Sequence, residues 1–186
     1  MGEPAGESDL LARVRAEPSA AIAEVVTRYE RPLLRYARAL VGGDGAAQDV
    51  VQEAFLRLLR KARSVRNLSS WLGRVTHNLA IDHLRREARM KRAHHAAVVD
   101  IGPEPQAPAT DAVRADVAAA LERGLGRLST HERAVIVLKV IEGKSYKEIS
   151  EVTGLSTSNV GYLIHHGLRK LAAHLDAAGA LRGGAR

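Results

Sequence analysis

Between Ala93 and Asp111 the chain reads AHHAAVVDIGPEPQAPATD. Prolines at 103, 105 and 108 lack a backbone N–H and hold φ fixed, so a helix cannot continue through them. On both sides of this stretch the sequence has helical period. Val and Ile do not alternate with polar residues, and no Asn-Gly or Asp-Gly hairpin turn occurs. The expected fold is therefore all-α: two small helical domains joined by a flexible linker. A linker of about 19 residues is long enough to be functional or disordered. Residues 1–18 read as an N-terminal extension, 19–92 as the first domain, 93–111 as the linker, 112–177 as the second domain and 178–186 as a frayed tail.

Charge follows the same division. Residues 1–27 carry a net −3, 28–92 a net +9, 93–118 a net −3 and 119–186 a net +4. Two basic blocks separated by an acidic joint suit two modules facing one polyanion. Aromatics make up 3% of the chain, too few for a sheet of base-stacking platforms. The absence of cysteine excludes disulfides and thiolate metal sites. No apolar run approaches the roughly 20 residues of a membrane span. The opening MGEPAGESDL lacks a basic segment followed by an apolar core, so a soluble cytoplasmic protein is expected.

Within the first domain, a short N-terminal helix precedes a segment that Ser19 can cap and that runs to about Leu40, with a kink or break expected at Pro32. GGDG at 42–45 ends it, and Asp44 is placed to cap a helix from about Ala46 to Ala62. Val50, Val51, Ala54, Phe55, Leu58 and Leu59 form the apolar stripe of that helix. A third helix starts near Ser69 or Ser70 and runs to about Lys91. Arg85, Arg86, Arg89, Lys91 and Arg92 crowd its end against one acid, Glu87, a density suited to a phosphate backbone. Trp71 either stacks on an unpaired base or continues the apolar face of Leu72 and Val75.

The second domain expects helices at 112–127 and 130–141, then SYKEISEVTGLSTSNVGYLIHHGLRKL from Ser145 to Leu171. That last stretch has helix-turn-helix spacing. Ile149 is the apolar anchor, Ser150 the small residue at the crossing, and Gly154 the turn residue that tolerates positive φ. Leu155 plugs beneath the turn, Ser156 caps the second helix, and Val160 and Leu163 face inward. The outer face then carries Thr157, Ser158, Gly161, Tyr162, His165, His166 and Arg169, with Asn159 near the helix start, where short polar groups can meet phosphates and base edges. Gly161 serves either a close approach to DNA or close helix packing, and Gly167 serves packing. His165 and His166 point roughly 100° apart and cannot share one metal, so no metal site is expected.

Together, QDVVQEAFLRLLR, WLGRVTHNLAIDHLRR and LSTHERAVIVLKVIEGKSYKEISEVTGLSTSNVGYLIHHGLRKL resemble the bacterial sigma factors of the extracytoplasmic-function (ECF) group. The resemblance spans about residues 20–92 and 115–175. It implies that Asp49, Gln52, Glu53 and Arg57 contact the clamp helices of core RNA polymerase. Arg74, His77 and Asn78 would lie near the unwound −10 strand, with Asn78 and Asp82 on the family's Asn-x-x-x-Asp pattern, and Arg85, Arg86 and Arg89 would hold phosphates. Ser156, Thr157, Ser158, Asn159, Gly161, Tyr162, His165, His166 and Arg169 would read the −35 element. The family often carries Ser-Arg and Arg-Ala where this chain has Gly161-Tyr162 and His166-Gly167, which implies more reliance on short polar groups and close backbone approach. An anti-sigma factor or other regulatory protein is an implied partner. No catalytic residue and no cofactor is implied: paired carboxylates, a glycine-rich phosphate loop and a nucleophile–base arrangement are not visible. The rival reading is a free-standing helix-turn-helix regulator that binds duplex DNA without polymerase, its first domain serving dimerisation.

Overall fold

The computed structural model describes residues 6–95, 120–121 and 123–177. Among these residues no strand occurs. Helix α1 spans Glu7–Ala16, α2 Pro18–Val41, α3 Asp44–Lys61 and α4 Leu68–His95; a 3₁₀ turn, Ala62–Ser64, lies between α3 and α4. In the second domain α5 spans Thr130–Ile136 and runs into a π-helical turn, Val137–Ile141; α6 spans Tyr146–Thr153 and α7 Thr157–Ala177. The linker and the helix expected at 112–127 fall largely outside the described residues. Helical backbone continues to His95, past the expected linker start, and is present at 120, 121 and 123–126.

Helices α2, α3 and α4 form the first bundle, and α1 closes one side of it. Leu10 and Val14 of α1 are fully buried, so the stretch set apart as an N-terminal extension contributes to the core. Arg15 fixes its position by donating to the Val65 carbonyl at 2.9 Å. Pro32 neither breaks nor ends α2. A proline there removes a single N–H, and Tyr29, Leu33, Tyr36 and Leu40 bury the helix on both sides of it. The expected caps move by one or two residues. Helix α2 begins at Pro18, whose missing N–H is harmless in the first turn, and Ser19 makes no cap bond. It ends at Gly42 with φ +79°. Helix α3 has extended Gly43 at its cap, and Asp44 pairs with Arg38 at 2.8 Å instead of capping. At α4 it is Asn67 that accepts from the Ser70 N–H at 2.6 Å.

Of the expected apolar stripe of α3, Val50, Val51, Ala54, Phe55 and Leu58 are buried and Leu59 is half-buried at its edge. Trp71 is partly buried and packs on the core beside Leu72. Behind it His77 is buried, hydrogen-bonded through Nδ1 to the Tyr36 hydroxyl at 2.7 Å. Burial, and then the charge that His131 can carry, push the His77 pKa down to about 4.

The two domains share one buried apolar cluster, in which Val135, Val137, Ile149, Val152 and Val160 join the residues of the first bundle. Helix α6 lies directly on α4. At Gly73 an added Cβ would sit 3.0 Å from a Val152 methyl, so the absence of a side chain permits the crossing. Polar pairs line the rim. Arg35 grips Glu142 through two bonds of 3.0 and 3.2 Å, and the Ser70 hydroxyl donates to Glu151 at 2.9 Å. Arg133 donates to the carbonyls of Ala39 and Leu40 at the end of α2.

Gly73→Leu should leave the first bundle folded but unseat the second domain. Small-angle scattering should then give a larger radius of gyration for the variant, and an unchanged radius would contradict this packing. A second expectation concerns pH. Because the folded pKa of His77 lies below its ordinary 6.5, the folded state resists a proton that the unfolded chain accepts. Its contribution is complete above about pH 6.5 and is lost as pH falls toward 4. Urea unfolding of His77→Gln should show a flatter stability profile than wild type between those pH values.

Candidate nucleic-acid interface

The helix-turn-helix forms as its spacing predicts. Ser145 caps α6 reciprocally with Glu148, and Gly154 turns the chain at φ +74°. Ile149 and Val160 are fully buried. The Ser150 hydroxyl donates to the Leu155 carbonyl at 2.6 Å across the turn, and Ser156 accepts from the Asn159 N–H at 3.2 Å. Leu163 is half-buried, and Ile164 completes the inward face.

Ser156, Thr157, Ser158, Asn159, Tyr162, His165 and Arg169 are exposed and can meet a polyanion. Both glycines lie against neighbours, Gly167 buried and Gly161 half-buried. At Gly167 a Cβ would lie 2.7 Å from Ile136 and 3.2 Å from Glu132. At Gly161 it would lie 3.3 Å from the ring of Tyr146, whose other neighbour is the Lys139 ammonium, 5.5 Å from the ring centre.

His166 departs from the expected free outer face. Its Nδ1 lies 2.7 Å from Oε1 of Glu132, a carboxylate only 3% exposed. Lys170 donates to both oxygens of the same carboxylate at 2.9 and 3.2 Å, and the Ser129 N–H donates to Oε2 at 2.9 Å. Burial pushes the Glu132 pKa up, but the bonds from His166, Lys170 and Ser129 outweigh it and hold the pKa at about 2. The Ser129-x-x-Glu132 capping box was a sequence signal for this residue; its second role, anchoring α7, was not.

On α4, Arg74, Asn78, Arg85, Arg86 and Arg89 are exposed along one helix. Arg86 donates to the Asp82 carbonyl and Arg89 to the Arg85 carbonyl, each at 3.3 Å, which leaves much of each guanidinium facing solvent. His77 is buried between these exposed positions, with its Nδ1 2.7 Å from the Tyr36 hydroxyl. On α3, Asp49, Gln52 and Arg57 are exposed. Arg57 donates to Glu53 at 2.8 Å, the main reason the Glu53 pKa is lowered.

Comparison with known proteins agrees with this layout. Residues 25–90 match Sigma-70 region 2 and residues 118–171 match Sigma-70, region 4. The ECF RNA polymerase sigma factor SigL of Mycobacterium tuberculosis is 31% identical over 184 residues, covering 92% of this chain and all of SigL. SigE of Mycolicibacterium smegmatis is 31% identical over 156 residues, covering 82% of this chain; the matched part is 60% of SigE. Among solved structures, CnrH in complex with the cytosolic domain of CnrY is similar with a TM-score of 0.67 at 29% identity, covering 92% of this chain and 97% of CnrH. The sigma factor RpoE of Bartonella quintana shares the fold, with a TM-score of 0.67 at 20% identity over 83% of this chain and 96% of its own. With both domain families in this order on one chain, the protein belongs to the ECF group of RNA polymerase sigma factors.

Proposed function

We propose that the protein binds core RNA polymerase through α3 and directs it to promoters. In this reading α7 enters the major groove of a −35 element, and α4 holds the −10 strand once bases leave the stack. The observation that carries the reading is the pair of exposed faces, a basic one on α4 and a polar one on α7, in one chain whose halves match regions 2 and 4. No covalent chemistry is involved. Unstacking costs a few kcal/mol per base, offset by contacts made on the separated strand. Two weak DNA-reading modules gain avidity by being tethered on one enzyme only if their spacing fits.

This activity requires the domains to part. Val152 lies against Gly73, so α6 occupies the surface of α4 and leaves no room for spacer DNA between the two readers. Asp49, Gln52 and Arg57 stay exposed in the closed form, so the polymerase-facing surface is available before opening. An anti-sigma factor or other regulatory protein is the partner this reading implies. CnrH was solved with the cytosolic domain of CnrY, and RpoE with the anti-sigma factor NepR. The reading places the protein beside polymerase in the cytoplasm. Among the described residues no helix is long and apolar enough to cross a membrane.

Reconstituted transcription with bacterial core enzyme and start-site mapping tests the reading. Defined starts should require both core enzyme and this protein. Site-specific binding by the purified chain alone, equal to that with polymerase, would favour a free-standing regulator instead. Arg85, Arg86 and Arg89 replaced together by Ala should weaken promoter binding of the polymerase complex. The slope of log affinity against log salt should fall by about one for each phosphate no longer neutralised. An unchanged slope would remove these arginines from the DNA path.

A further inference from the structure

A generic basic recognition helix does not explain one pair of side chains on α7. Tyr162 is 63% exposed, and its ring lies nearly parallel to that of His166, at 10° with centroids 5.6 Å apart. Positions i and i+4 share a helix face, so the stack follows from the helix itself. The far side of the stack is fixed: His166 is bonded to Glu132, which is held by Lys170 and by the capping bond of Ser129. Gly167, packed against Ile136 and Glu132, lets α7 come close enough to α5 for that bond to form. A buried carboxylate thus orients one ring, and that ring supports another facing solvent.

Tyr162 also stands where reading is possible. It lies in the second turn of α7, and the opening turns of such a helix reach base edges in a major groove. The neighbouring position, Gly161, carries no side chain, and the Tyr146 ring fills the space beside it. Thr157 and Ser158 are short. Tyr162 therefore presents the large apolar surface of this turn. A flat aromatic ring held in one orientation packs well on the C5-methyl group of thymine, which only a T·A pair displays in that groove.

We infer that Tyr162 is a specificity-determining residue that selects a thymine within the −35 element, and that His166 is a positioning residue that holds the Tyr162 ring and does not itself contact a base. The inference rests on the proposed sigma activity. It also accounts for the two aromatic rings standing together on a helix that has few long cations at its entering end.

The test uses the full chain assembled with bacterial core polymerase. Duplexes randomised across the promoter region are selected by binding. Each thymine of the selected upstream element is then replaced in turn by deoxyuridine, which lacks only the methyl group. For wild type, one replacement should weaken binding about four-fold, the worth of one buried methyl-sized group. Tyr162→Ala should bind thymine and deoxyuridine equally at that position while keeping its preferences elsewhere in the element. His166→Gln retains a polar partner for Glu132 but lacks the ring. It should stay folded, with a thermal midpoint lowered by roughly 2–4 °C, because Lys170 and Ser129 still hold Glu132, and still lose the thymine preference. If wild type discriminates thymine from deoxyuridine and Tyr162→Ala does so equally, the inference is overturned while the sigma reading stands. If the wild-type complex selects no upstream element at all, both fall. If His166→Gln keeps full thymine preference, the positioning role is overturned.

Discussion

The close crossing of α6 over α4 sets the arrangement of everything else. It depends on one missing side chain, at Gly73, and on the Val152 methyl that fills its place. Around this crossing a single apolar cluster runs through both domains, so the attraction between them is mainly hydrophobic and lacks direction. Orientation comes from the rim, where Arg35–Glu142, Ser70–Glu151 and Arg133 with the α2 carbonyls fix the register. Only Arg35–Glu142 among these is an ion pair, and the exposure of its arginine limits its net contribution. The interface is thus held mainly by apolar contact, with its register set by the polar rim.

The closed form separates the functional surfaces into available and occupied ones. The α3 face, Arg74, Asn78 and the arginines at the far end of α4 remain in solvent, whereas Gly73 and His77 on α4 are covered. In the proposed reading, docking through the exposed α3 face needs no opening of this form. The recognition helix has a different anchor. Glu132, buried and ionised, ties α7 to α5 through His166 and Lys170, so the orientation of the exposed side chains of α7 is set inside the second domain.

What could be read from the sequence was local. Ile149, Gly154, Ser156 and Val160 identify the helix-turn-helix because each role depends on neighbours within a turn or two. The stripe of α3 and the basic end of α4 are legible for the same reason. Roles that depend on distant partners were not. His77 has a polar, helix-surface look in sequence, but it meets Tyr36, 41 residues away, and is buried. Helical spacing assigns His166 to the outer face until Glu132, 34 residues away, claims it. Pro32 signals a break that burial on both sides of the helix overrides. The packing of the two domains, resting on a glycine within a helical pattern, left no periodic trace.

The distance between the two domains, measured with and without polymerase, tests the opening of the closed form most directly. The chain has no cysteine, so Arg63→Cys and Ala173→Cys, both at exposed positions, can carry a specific pair of spin labels. The free protein should give one narrow distance, and the same protein bound to core enzyme and promoter DNA should give a different one. An identical distribution in the two states would contradict a closed form that opens to act.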